Sequence, residues 1–216
     1  MNRYYWFVIT LFLLVLVFFY GKSAHANLPL LGRTIVVDAG HGGLDPGAIY
    51  NDIYEKDITL KIGKYLEECL TKMGATVVMT RTDDNDLSNG TQNKRKKKDF
   101  DERIKIINDK KIDMYVSIHL NFLENSRYYG PQVFYNYDNK DLADFIQKYL
   151  NKQLKGKRNV KSIPSNTYMY KRLKRPGLLI ECGFLSNAEE RNKLTNKSYQ
   201  QKFAQSLAEA ISHYYN

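Results

Sequence analysis

Short β-branched runs alternate with amphipathic segments of helix length along most of this chain, and that alternation restricts the fold more than any other feature. "RTIVVDA" (33–39), "TVVMTR" (76–81), "MYVSIHLN" (114–121), "PQVFYNY" (131–137) and "GLLIECGF" (177–184) read as strands. Val, Ile and aromatic side chains suit a pleated surface better than a helix. Between the first two, "EKDITLKIGKYLEECLTKMG" (55–74) carries an apolar stripe at Ile58, Ile62, Leu66, Cys69 and Leu70, with Gly74 as a stop. "FDERIKIINDKK" (100–111), "KDLADFIQKYLNKQL" (140–154) and "SYQQKFAQSLAEAISHYY" (198–215) have the same helical period. "NTYMYK" (166–171) reads as a further short strand, and residues 82–99 as a long polar loop. With no internal repeat or linker, the pattern predicts one α/β domain, a sheet with helices on both faces.

Residues 1–26 differ from the rest. Arg3 is the only charge before Lys22, and Tyr4–Tyr20 is an apolar run broken only by Thr10. "AHA" (24–26) places small residues at the −3 and −1 positions of a cleavage site before Asn27, as in a signal peptide. The run is long for a signal and short for a membrane span, so an uncleaved membrane anchor, touching the bilayer through residues 4–20, is the alternative. Arg3 favours an inside N-terminus, and both readings put residues 27–216 outside the cytoplasm.

The formal charge is +10, and Arg3 with Lys22 accounts for two of it, which leaves +8 for residues 27–216. A basic exported domain suits a polyanionic surface such as a cell wall or anionic lipid, and export argues against nucleic acid as partner. "NKRKKKD" (93–99) holds five consecutive basic residues and reads as part of the solvated loop. The chain has two cysteines, Cys69 and Cys182, each in an apolar segment. They read as buried thiols rather than as a disulfide framework.

The chemistry centres on "VVDAGHGG" (36–43). Glycines at a strand end can cradle phosphate, or they can clear space around a metal. Of four histidines, His25 lies in the N-terminal segment and His213 near the end of the last helix, as a surface or capping residue. His41 and His119 remain. Glu181, between Ile180 and Cys182, and His119, between Ile118 and Leu120, are polar groups in apolar strands, costly unless paired or metal-bound. Glu55 opens the first helix, where an acid is also favoured by the helix dipole alone. His41, His119 and Glu181 fall at or near the ends of three strands, where functional groups of α/β sheets collect. Two imidazoles and a carboxylate make a catalytic zinc set with one open position, and a second carboxylate can serve as base. Each residue singly has an ordinary structural explanation; only order and context lift the joint reading.

"VVDAGHGGLDPGA" (36–48), "EKDITL" (55–60), "MTRTDD" (79–84), "DERIKIIND" (101–109), "VSIHLN" (116–121) and "PGLLIECGFLSNAEE" (176–190) occur in this order. Together they resemble the zinc-dependent N-acetylmuramoyl-L-alanine amidases of the type-3 class, from about Arg33 to the C-terminus. The resemblance implies a mixed, mostly parallel twisted sheet of about six strands, and one Zn2+ held by His41, Glu55 and His119. It implies Glu181 as the catalytic carboxylate, passing a proton from water to the leaving amine. The substrate would be peptidoglycan, cut between the muramic acid lactyl group and the stem-peptide L-alanine. The glycines around His41 would keep side chains away from an approaching glycan strand.

Asn121 and Lys171 are weaker candidates for substrate contact. Family members often carry Arg at Lys171, whose lysine keeps the charge and loses the planar fork. Residues 83–99 are longer and more basic than the family needs. No cell-wall-binding repeat or inserted inhibitory helix accompanies the motifs. Localisation would then rest on the N-terminal segment, the net charge or an activating or localising partner protein. The arrangement resembles the sporulation members of the family. They act in the forespore intermembrane space ahead of a muramic acid deacetylase that completes muramic-δ-lactam in the spore cortex.

Overall fold

A computed structural model of the protein describes residues 3–20, 28–88, 90, 93–136 and 138–215, without the side chains of residues 13–20. A helix, α1, spans Arg3–Tyr20. At 1.5 Å per residue it is about 27 Å long, against a hydrocarbon core of about 30 Å. Among the described residues no helix is long and apolar enough to cross a membrane. The cleavage site at 24–26 and His25 lie outside the described residues.

The remainder forms a six-stranded sheet. In chain order its strands are β1 (Thr34–Ala39), β4 (Thr76–Met79), β5 (Met114–Asn121), β6 (Gln132–Tyr135), β7 (Lys161–Ser162) and β8 (Gly177–Phe184). Two-residue strands β2 (Ile49–Tyr50) and β3 (Ile53–Tyr54) make a separate antiparallel hairpin. The helices are α2 (Glu55–Lys72), α3 (Arg95–Ile107), α4 (Lys140–Leu154), α5 (Ala188–Leu194) and α6 (Lys197–Tyr215). The spatial order is β4-β1-β5-β8-β6-β7. β4, β1, β5 and β8 run parallel, β6 is antiparallel to β8, and β7 is parallel to β6. The expected mixed, mostly parallel sheet is the one observed.

Strand parity decides which side chains meet. Ile35, Val37, Val116, Ile118, Leu178 and Ile180 belong to the large core cluster, with Ile62 and Leu66 of α2 and Leu207 and Ile211 of α6. Burying each such side chain contributes about 1.5–3 kcal/mol. The opposite parity gives Val36 and Tyr115, which join Ile107 of α3 and Ile163, Met169 and Leu173 in a smaller cluster. Asp38, Ser117, His119 and Glu181 share that second parity. The polar residues of otherwise apolar strands therefore all sit on the thinly covered face.

Three expectations need correction. The basic run is not loop: Arg95–Lys98 form the first turn of α3, which ends at Ile107 rather than 111. Ion pairs hold that turn, with Lys97 Nζ 2.7 Å from Asp101 and Arg95 Nη1 2.5 Å from Asp86. Residues 166–171 are not a strand but lead into a 3-10 turn at Tyr170–Arg172, where Leu173 N donates back to Tyr170 O. Cys69 is only half-buried, its Sγ bonded to Gln205 Oε1; Cys182 is buried, and both are free thiols. β2, β3, β7 and α5 were not expected; the longest has seven residues, too few to show a period.

β8 enters the sheet against Tyr115. A Cβ at Gly177 would lie 2.3 Å from that ring and 2.4 Å from the Tyr115 carbonyl oxygen. Gly177→Ala should lower the unfolding free energy by about 1–3 kcal/mol in urea titration; an unchanged midpoint would show that β8 can shift without loss.

Candidate functional site

β1 ends at Ala39, and the chain then turns through three consecutive residues of positive φ: His41 at 62°, Gly42 at 131° and Gly43 at 55°. For histidine this left-handed conformation is strained and needs external support. Two buried arginines supply it. Arg103 of α3 donates from Nη1 to Ala39 O (2.8 Å) and from Nη2 to His41 O (2.6 Å). Arg81 donates from Nε to Ala39 O and from Nη2 to Gly40 O, each at 2.9 Å.

Arg103 is held in turn by Asp38 (Nη1–Oδ1 2.6 Å) and Asp99 (Nε–Oδ2 3.0 Å). Asp38 also accepts from Thr80 Oγ1 and Ser117 Oγ. Burial of Asp38 would raise its pKa, but the Arg103 guanidinium and the Ser117 hydroxyl hold it below the usual carboxylate value.

The turn aims His41 at α2. His41 Nε2 lies 3.1 Å from Glu55 Oε1, and His119 Nδ1 lies 3.1 Å from the same oxygen. The two imidazoles stand edge to face, their centroids 4.9 Å apart. Glu55 is fixed by two backbone amides: Leu120 N donates to Oε1 and Ala48 N to Oε2, each at 2.8 Å. The Leu120 amide turns that way where pairing of β5 with β8 slips by one residue between His119 and Asn121. Behind His41, Nδ1 faces Asp45 Oδ2 at 3.1 Å.

The glycines make room within the protein itself. A Cβ on Gly40 would lie 2.3–2.7 Å from the His119 ring, and one on Gly47 2.6 Å from Glu55 Oε2 and 2.7 Å from His41. Gly42 and Gly43 press on Asn85, Arg81 and Asp86. They make room for the site's own side chains and for the loop behind it.

His41, Glu55 and His119 offer ligand atoms that all lie within 4.8 Å of one another. Tetrahedral coordination at about 2.0–2.1 Å separates ligand atoms by about 3.3 Å. Both His–Glu separations are near that, and the donor set of two nitrogens and one oxygen suits zinc. Burial disfavours a charged His41, but the Asp45 and Glu55 carboxylates, each 3.1 Å away, prevail and raise its pKa to about 9. Glu55 is opposed by burial and held well below the carboxylate range by both histidines.

Glu181 is the register partner of His119 on β8. Its Oε2 is buried without a hydrogen-bond partner, and burial, with the nearby Glu55 charge, pushes its pKa up to about 8. Asn121 ends β5, half-buried, with its carbonyl accepting from Leu185 N. Lys171 stands exposed in the 3-10 turn, next to a wall of the cleft that opens on His41 and His119. His213 is exposed on α6, edge-on to Tyr149. Arg81 in "MTRTDD" and Arg103 in "DERIKIIND" are supporting residues that the motifs alone do not single out. A charged residue at a strand end or in a helix stripe otherwise apolar was the available signal.

Fold and site define a hydrolase whose donor set, His41 and His119 at the carboxyl ends of parallel strands and Glu55 at the start of α2, suits a metal ion. The profile of the N-acetylmuramoyl-L-alanine amidase family matches residues 35–213. The chain belongs to this family of peptidoglycan amidases. It is 38% identical to the germination-specific N-acetylmuramoyl-L-alanine amidase of Bacillus subtilis, over 97% of this chain and 91% of that one. It is 37% identical to the probable cell wall amidase LytH of Staphylococcus aureus, over 87% of this chain and 60% of that one. Among solved structures it is similar to the CwlD amidase from Clostridioides difficile in complex with the GerS lipoprotein. That match has 40% identity and a TM-score of 0.78, covering 84% of this chain and 98% of that one.

A carboxyl whose folded pKa of about 8 exceeds its ordinary 4.5 contributes stability below pH 4.5 and loses it as pH rises toward 8. In chelator, Glu181→Gln should therefore match the parent near pH 4 and exceed its unfolding free energy by about 2 kcal/mol or more near pH 8. Urea titrations at the two pH values check this; equal parent and variant stability at both would refute the burial cost.

Proposed function

We propose that residues 27–216 form a zinc-dependent catalytic domain that hydrolyses the amide between the muramic acid lactyl group and the stem-peptide L-alanine. The observation that carries this reading is the convergence of His41 and His119 on one oxygen of Glu55, with Glu181 on the adjacent strand. His41, Glu55 and His119 would hold one Zn2+. When bound, zinc supplies a Lewis acid for the scissile carbonyl and makes water acidic near neutral pH.

The protein's own groups do the rest. Asp45 and the two arginines orient His41, and the backbone amides of Ala48 and Leu120 orient Glu55. Glu181 is the general base and then the general acid. It takes the proton from the attacking water and delivers it to the leaving amine of L-alanine. Glu181 must be ionised to act as base, a form that a dication held by His41, Glu55 and His119 would favour. Asn121 and Lys171 are proposed to contact substrate.

We infer that the enzyme acts in spore cortex maturation, ahead of a muramic acid deacetylase that completes muramic-δ-lactam for germination. The relative named for germination, 38% identical over 97% of this chain, supports this role. The neighbour solved with a lipoprotein supports an activating or localising partner protein here as well. Residues 1–26 are proposed to export the domain, cleaved as a signal or retained as an anchor.

Zinc-loaded protein incubated with sacculi should release stem peptides bearing a new L-alanine N-terminus, read by mass spectrometry. Unchanged muropeptides, with zinc bound and a candidate partner present, would refute the reading; a new N-terminus inside the peptide would identify a peptidase. Glu181→Gln should keep stoichiometric zinc and lose at least 100-fold in kcat. His41→Ala should lose the zinc itself, measured by metal analysis.

A further inference from the structure

The basic run at 94–98 has no part in the chemistry above, yet it borders the cleft. Phe100, Thr167, Tyr168 and Met169 line that cleft together with His41 and His119. Phe100 and Tyr168 stack at 6.1 Å between centroids, one from α3 and one from the segment before the 3-10 turn. Each ring carries a cation. Lys96 Nζ lies 5.8 Å from the Phe100 centroid, and Arg172 Cζ lies 3.7 Å from that of Tyr168.

The two walls are fastened together. Tyr168 OH donates to Asp101 Oδ1 (2.7 Å), and Asn108, the residue that caps α3, donates to Arg172 O and accepts from the Lys174 amide. Arg172 Nη1 donates to Tyr168 O at 2.7 Å, which fixes the guanidinium over the ring. Lys96 Nζ reaches Asp45 Oδ2 at 3.4 Å with most of its side chain in solvent. Lys97 Nζ also lies 5.7 Å from the Tyr168 centroid, but it is paired with Asp101 at 2.7 Å. Lys96 and Arg172, on rings that line the cleft with His41 and His119, match a ligand that carries free carboxylates. The N-acetylated glycan is uncharged there, its lactyl carboxyl being tied up in the scissile amide; the stem peptide is the anionic half of the substrate.

Resting on the amidase reading, we propose that Lys96 and Arg172, mounted on the Phe100–Tyr168 pair, form a subsite that recognises the carboxylates of the stem peptide. The basic extension of α3 is then a specificity device rather than a solvated surface.

The test is equilibrium binding, so it does not depend on turnover. Zinc-loaded Glu181→Gln protein is titrated with N-acetylmuramoyl-L-alanyl-D-glutamic acid and with the same compound amidated at both glutamyl carboxyls. The free acid should bind at least tenfold tighter, with an affinity that falls as salt is raised. Adding Lys96→Gln and Arg172→Gln should bring the two ligands within about twofold while zinc content and melting midpoint stay unchanged. Lys96→Arg with native Arg172 should keep the discrimination. Equal binding of acid and amide by the Glu181→Gln protein, or discrimination that survives the double substitution, would overturn the assignment. Failure of the amidase reading shows separately, as sacculi left uncleaved by the native enzyme even where these ligands bind.

Discussion

The site depends on the buried ion pair between Asp38 and Arg103. Both are nearly inaccessible to solvent, at 1% and 2% exposure. Removing one partner of such a pair costs about 3–5 kcal/mol, because the other charge is left buried and alone. The pair is kept here for what Arg103 does with its remaining hydrogens. It ties the carbonyls of Ala39 and His41 across a turn that histidine enters only under strain. Arg81 repeats the device on Ala39 and Gly40, and it also reaches Lys56 O and Thr59 Oγ1 in the first turn of α2. The His41 turn and the helix that carries Glu55 thus hang together on the Arg81 guanidinium.

That scaffold explains the electrostatics. His41 and His119 face one anionic oxygen, and a second carboxyl, half-buried Glu181 with its Oε2 sealed from solvent, sits close enough to feel Glu55. Two carboxylates in low dielectric with few cations push one of them toward its neutral form. A site with an excess of buried acid and two imidazoles is pre-organised for a dication, which removes that frustration. The cost is borne by the fold in the absence of the ion, and it is largest at alkaline pH.

Much of the architecture was legible because burial imposes periodicity. α2, α4 and α6 are recognisable from the 3.6 spacing of their apolar residues, and β1, β5 and β8 as short β-branched, apolar runs. The elements not recognised are short ones, β2, β3, β7 and α5, where too few residues repeat to reveal a period. The first turn of α3 was misread because four consecutive basic residues have no apolar face. Ion pairs to Asp86 and Asp101, set by tertiary contact, make it helical. The site candidates were legible as polar residues placed where apolar neighbours make them costly: Glu181 between Ile180 and Cys182, His119 between Ile118 and Leu120.

The sequence by itself determined the class of fold, the four residues worth singling out and the family they belong to, because hydrophobic alternation and ordered motifs are local properties of the chain. Only the tertiary structure decided that Glu55 presents one oxygen to both histidines, since that contact joins residues 64 apart through a slipped register in β5. It also decided what the glycines are for. Gly40 and Gly47 make room for the rings of His119 and His41, a close approach between distant segments that no local pattern encodes.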